Sequence, residues 1–234
     1  MATLLQHRTR LLTRGIPALV ILVLPLLGTV ASSPATFLDA FLTAVDGTAI
    51  TASDIALARA LGLLGFHPSD DPITMADVER AVDARLVEGE AARMGIRPTS
   101  EEAEEAWRAA ADRVGDMLAL TGWLASTGLE EAWAKRMIEA DLRWRRFIDL
   151  RFRAFVFVSE TDVAQALGSG PHPAELRERT RRALEAETVN RELAEWLADA
   201  RRRASIRYAW RGERAILLPF PMPPASGHAA EKPG

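Results

Sequence analysis

Residues 42–54, LTAVDGTAITASD, decide the fold. Leu42–Val45 and Thr48–Thr51 are short β-prone runs on either side of Asp46-Gly47. A two-residue Asp-Gly connection is the strongest short hairpin signal, because both central residues of the turn need positive φ. Thr51-Ala52-Ser53-Asp54 then reads as a capping box, in which hydroxyl and carboxylate bond each other's backbone N–H. The hairpin thus passes directly into a helix, predicted to reach about Leu64 with Ile55, Leu57, Ala58, Leu61 and Leu64 as its apolar contacts.

Working outward, Gly65–Pro72 has loop composition. Thr74–Asp77 is a second capping box and opens a helix through Met94, with Val78, Val82, Leu86 and Met94 near one stripe and Gly95 closing it. Thr99–Glu102 is a third box, followed by a helix bearing Ala103, Ala106, Trp107, Ala110 and Val114. Gly115–Gly128 predicts a short apolar helix interrupted at Gly122. Leu129–Arg153 predicts a long helix, with Trp133, Met137, Ala140, Trp144 and Ile148 in one stripe. Phe155–Val158 is a β-prone break, and Ser159–Asp162 caps one more short helix. Gly168–Pro173, GSGPHP, is a linker. Ala174–Ala204 predicts a second long helix, with Leu176, Leu184, Val189, Leu193, Trp196, Leu197 and Ala200 inward. Ser205–Trp210 predicts a final strand.

A hairpin, many helices and one terminal strand cannot build an extended sheet. The economical solution is a mainly α domain with a small antiparallel β-sheet that unites residues 42–51 with residues 205–210. Residues 211–234 contain five prolines and read as a disordered tail.

The first 31 residues carry Arg8, Arg10 and Arg14 and no acid. Gly15–Ala31 is an uncharged apolar run that ends in small residues. This is the layout of a secretory signal, residues 1–31, with cleavage after Ala31 or Ala35. The uncharged stretch continues to Leu38, so an uncleaved membrane anchor over residues 15–38 is the alternative. The expected location is periplasmic, or at the inner membrane if the segment is retained.

The chain has 234 residues, a net charge of −3 and no cysteine. With the basic leader set aside the remainder carries −6, which argues against general nucleic-acid binding. Without cysteine there is no disulfide, thiolate chemistry or cysteine zinc site. The arginines of 143–153, 177–182 and 201–203 are interleaved with acids, so they read as solvated, ion-paired faces.

Several stretches together resemble the SurA-type chaperone family. Ala44–Ile55, AVDGTAITASDI, is similar to the opening of that family's N-terminal domain: strand, Asx-Gly turn, strand, Ser-Asp and helix. Ala81–Ile96, AVDARLVEGEAARMGI, followed by Thr99–Glu102, resembles its next helix and the one after. Phe147–Arg153 and Val156–Val163 resemble its closing helix and the short segment beyond. Asn190–Leu197 and Ala204–Tyr208, ASIRY, look like its last helix and strand. The resemblance covers roughly residues 37–210. It implies a helical chaperone fold whose C-terminal piece returns to the N-terminal domain. In the family, parvulin-type isomerase domains lie between those parts. Here only Gly168–Pro173 stands there, and the glycine-rich stretch and core histidine pair of a parvulin are missing. The resemblance therefore implies the chaperone part without its isomerase.

No catalytic constellation emerges. His67 and His172 flank prolines in loops, and a catalytic triad needs a positioned histidine. Glu101-Glu102 and Glu104-Glu105 lie in a first helical turn, where acids complement the dipole. No phosphate loop and no metal-ligand spacing occurs, and no cofactor is implied. The tryptophans recur at helical spacing, as core residues do. The functional reading makes some aromatics part of an open apolar groove for unfolded chains, with Trp123, Trp144, Phe152 and Phe155 as candidate client-binding residues because glycine or arginine flanks them. Met75, Met94, Met117 and Met137 add an adaptable surface. The expected function is an ATP-independent holdase for unfolded or outer-membrane polypeptides. The rivals are an isomerase-family enzyme and a membrane-anchored assembly subunit.

Overall fold

The hairpin forms where the Asp-Gly pair puts it. Asp46 and Gly47 have φ of 49° and 83°, the double positive pair that suits the right-handed twist of the flanking strands. The computed structural model describes residues 39–168 and 170–223, within one compact unit spanning Phe37–Gly234. Its elements are β1 (Phe41–Val45), β2 (Thr48–Thr51), α1 (Ala52–Leu61), α2 (Met75–Arg93), α3 (Ser100–Val114), α4 (Met117–Thr127), α5 (Glu131–Arg151), a 3-10 turn (Arg153–Phe155), α6 (Glu160–Leu167), α7 (Ala174–Arg203) and β3 (Ile206–Tyr208). The expected mainly α fold with a small antiparallel sheet is thus what the chain adopts. The predicted signal or anchor over residues 1–38 lies outside the described residues.

The sheet order is β2-β1-β3, antiparallel throughout. Thr43 pairs with Tyr208, Ala44 with Arg207 and Val45 with Ile206. The hairpin turn itself receives the returning chain. Asp46 N–H donates to Ser205 O at 2.9 Å, and Asp46 Oδ1 accepts from Ser205 N–H at 2.8 Å.

Helix starts follow the sequence closely. Thr51, Thr74, Thr99 and Ser159 each accept from the N–H three residues on, and Asp54, Asp77, Glu102 and Asp162 each bond back to the cap. Two helices differ from their expected course. α1 ends at Leu61 rather than Leu64, because Gly62 N–H donates to Arg59 O and Leu63 N–H to Ala58 O, a Schellman ending. α4 runs unbroken through Gly122 and ends the same way, with Leu129 N–H on Leu124 O. α2 repeats the device with Ile96 N–H on Ala91 O. The residue after each turn (Leu63, Ile96, Leu129) is buried, so each helix end is also a core anchor.

Three apolar clusters hold the unit. The largest joins Leu42 of β1, the inner face of α1, and Trp107, Leu120, Trp123, Leu124 and Ile138 of α3, α4 and α5. A second gathers Val87, Ala91, Ile96, Phe147, Ile148, Phe152 and Val189. A third places Val45, Ile50, Val82, Leu86 and Ala200 between sheet, α2 and α7. A fully buried side chain such as Phe147 contributes about 1.5–3 kcal/mol relative to exposure.

α7 divides into two halves. Val189 and Ala200 of its C-terminal half are buried and Leu193, Trp196 and Leu197 half-buried. Leu176, expected inward, is exposed, because α6 is the chief packing partner of the N-terminal half. Glu160 of α6 pairs with both Arg177 and Arg181 there. The β-prone stretch Phe155–Val158 becomes the end of the 3-10 turn and an unpaired connection.

The expected disorder from residue 211 is also corrected. Ile73 N–H donates to Ile216 O at 2.8 Å, and Phe220 is buried in the main core. The apolar side chains between the prolines find a surface that local composition does not reveal. Residues 224–234 of the predicted tail lie outside the described residues.

Candidate functional site

The four candidate aromatics do not form one surface. Trp123, on α4, is buried in the main cluster. It stands edge-on to Phe220, with ring centroids 5.6 Å apart, and its indole N–H donates to Pro221 O at 2.9 Å. Phe152 is buried too, edge-on to Phe147 at 5.8 Å and against Trp196 at 6.5 Å. The open surface expected at these two is therefore absent, since residues distant in sequence cover both. Trp144 is half-buried against the second cluster.

Phe155 is different. It is 80% exposed, Phe157 is 86% exposed, and Leu150 of the last turns of α5 is exposed beside them in sequence. The chain leaves α5 through the 3-10 turn, where Phe155 N–H bonds Phe152 O at 3.0 Å and Val156 N–H bonds Arg153 O at 3.2 Å. Phe152 turns into the core and anchors this exit, while Phe155 and Phe157 project from it. Phe157 was missed by the sequence reading, although the alternation Phe155-Val156-Phe157 in a segment without strand partners signals it.

A second feature lies between α1, α2 and α5. A cavity of about 310 Å³ is lined by apolar side chains that include Ile50, Ile55, Phe66, Trp133 and Met137. Asp54, Arg85, Glu88, Arg136, Glu139 and Arg143 also line it. Arg85 pairs with Glu88 at 2.6 Å, and Arg143 bridges Glu88 at 3.0 Å and Glu139 at 3.6 Å, tying α2 to α5. Burial pushes the Asp54 carboxyl above the usual carboxylate range, against hydrogen bonds from Thr51 and the nearby charge of Arg85. A second cavity of about 390 Å³ lies beyond, lined by Ile96–Ser100 and Ala103 and sharing Glu88, Glu139 and Arg143 with the first. The Glu88–Arg143 ion pair thus lines both cavities. A cavity with this lining can accept an apolar side chain while the ion pairs beside it stay made.

Among the described residues no cluster of three or more His, Cys, Asp or Glu side chains is placed to hold a metal ion. Among the same residues no helix is long and apolar enough to cross a membrane. Compared with protein-family models and with curated proteins, the chain gives no match.

Proposed function

We propose that the protein is an ATP-independent holdase-type chaperone for unfolded extracytoplasmic polypeptides. The observation that carries this reading is the exposure of Phe155 and Phe157 on one short connection. Large apolar side chains presented together mark interaction surfaces, whereas singly scattered ones do not. Burying both against a client yields about 3–6 kcal/mol. Association itself costs at least about 4 kcal/mol. The balance is weak and reversible binding, which suits a protein that must release what it holds.

Further support comes from the cavities between α2 and α5, whose mixed-charge lining favours no client charge. The pairing of β1 with β3 in one sheet is also what the SurA-type resemblance implies. The arginine-then-apolar layout of residues 1–31 supports an exported, periplasmic protein. Light scattering from a chemically unfolded client diluted into buffer without nucleotide tests the activity. Suppression at equimolar protein is expected; unaltered aggregation at a fivefold excess would overturn the reading.

A further inference from the structure

After β3 the chain runs from Trp210 to Pro223 with a single isolated bridge, Ile73 to Ile216. Its apolar side chains nevertheless face the body. Ile216, Leu218, Phe220 and Met222 pack against the main core, Pro219 is half-buried, and Leu217 and Pro221 are exposed. Over Ile216–Leu218 and again over Phe220–Met222 this is the pattern of extended chain on an apolar surface, with a bend at Pro219 and Phe220 between the two stretches. Two of the hydrogen bonds that hold it run from a donor of the body to a carbonyl of the segment. Ile73 N–H reaches Ile216 O at 2.8 Å, and Trp123 Nε1 reaches Pro221 O at 2.9 Å.

Carbonyls are common to every polypeptide, so these two bonds read no sequence. Selectivity lies between them, where Phe220 stands edge-on to Trp123 with an interplanar angle of 77°. Main-chain bonds for affinity and alternate side-chain pockets for choice are how a surface recognises an extended peptide. Pro219 and Pro221 have no N–H, so neither leaves a donor unsatisfied when the segment lies down. The link to β3, residues 211–215, is exposed throughout, so the segment can lift without disturbing the sheet.

We propose that residues 216–222 are an intramolecular occupant of a peptide groove. When they lift, the same groove takes an extended client segment with alternate apolar side chains and an aromatic-proline pair at Trp123. The proposal rests on the holdase reading and assigns that activity its substrate class and its restraint. A tethered segment competes at an effective concentration of about millimolar, so weak clients are excluded until the segment is displaced.

The chain has no cysteine, so the double substitution Ile73→Cys, Ile216→Cys introduces one unambiguous disulfide. Directly bonded antiparallel partners such as these stand about 5.5 Å apart at Cα, within disulfide span. The probe is a fluorescein-labelled peptide of residues 215–223, AILLPFPMP, followed by anisotropy on the full chain. The oxidised protein is expected to bind it at least tenfold more weakly than the same protein after reduction. The single substitution Phe220→Ser is expected to bind it at least tenfold more tightly than the unaltered chain. A peptide with serine in place of its phenylalanine binds neither. Equal binding by oxidised and reduced forms overturns the proposal. Client aggregation suppressed equally by both forms also overturns it and leaves the holdase reading standing. Peptide binding gated by oxidation, with no suppression of aggregation, supports the groove and overturns the holdase reading instead.

Discussion

The guanidinium of Arg59 lies 2.5 Å from Asp77 Oδ2, the same oxygen that accepts the Thr74 N–H at 2.8 Å. The pair ties the last turn of α1 to the first turn of α2. Arg59 is 5% exposed and also donates to Asp71 O at 2.6 Å, so it organises the connection between the helices. Removing Arg59 leaves the part-buried charge of Asp77 without its partner. Arg59→Met is expected to lower stability by about 2 kcal/mol in urea unfolding. A loss below about 1 kcal/mol would show that solvent readily replaces the guanidinium.

Asp54 and Asp77 occupy the same capping-box position yet titrate in opposite senses. Burial dominates at Asp54 and raises its pKa. At Asp77 burial also pushes upward, but the bonds from Thr74 and the charge and bond of Arg59 outweigh it and hold the carboxyl low. Asp77 therefore contributes stability that is present above the unfolded aspartate value of about 3.9 and is lost as pH falls through its lowered folded value. The Asp54 contribution is full below that value and is lost as pH rises through its raised folded value. Thermal melts across the acid range check this. Relative to the unaltered chain, Asp77→Asn is expected to become less stable as pH rises, and Asp54→Asn more stable.

Arg201 docks α7 onto α2. Its guanidinium lies 2.6 Å from Asp83 Oδ1, donates to Glu79 O at 2.9 Å and pairs with the Glu79 carboxylate. Tyr208 of β3 donates its hydroxyl to the same carboxylate at 3.1 Å. One planar fork serves three acceptors, and an ammonium cannot reproduce that. Arg201→Lys is expected to cost about 1 kcal/mol, most of the loss seen in Arg201→Ala, by chemical unfolding. Full retention of stability by the lysine variant would mean that charge alone suffices.

Phe152 and Phe155 stand three residues apart and predict opposite phenotypes. Phe152→Ala opens a cavity beside Phe147 and Trp196 and is expected to cost about 3 kcal/mol. The double substitution Phe155→Ser, Phe157→Ser leaves stability within about 0.5 kcal/mol. It is expected to weaken suppression of client aggregation several-fold. Unchanged suppression by that variant would remove the exposed pair from client binding.

Features that depend on neighbours in sequence were legible there. The hairpin needs only Asp46-Gly47, and each capped helix start needs one hydroxyl and one acid three residues on. The sheet uniting the two ends followed because one terminal strand had nowhere else to pair. What failed depended on distant partners. Leu64 extends the stripe of α1, yet the helix has already turned at Gly62, and Asp141 Oδ1 holds the Leu64 N–H at 2.7 Å. Trp123 beside Gly122 looked open because its cover, Phe220, lies about a hundred residues away. The prolines of 219–223 correctly denied a regular element, but they could not reveal that Trp123 and Ile73 offer the segment a seat.

The central strand β1 has β2 on one side, made within a few residues, and β3 on the other, separated from Thr43 by 164 residues in the Thr43–Arg207 hydrogen bond. A ribosome therefore delivers β1 with a bare hydrogen-bonding edge that persists through nearly all of synthesis. Contacts that far apart in sequence form later than the local contacts of the helices. Through that interval the nascent chain is itself a sticky, incomplete polypeptide, and closure awaits the arrival of its last strand.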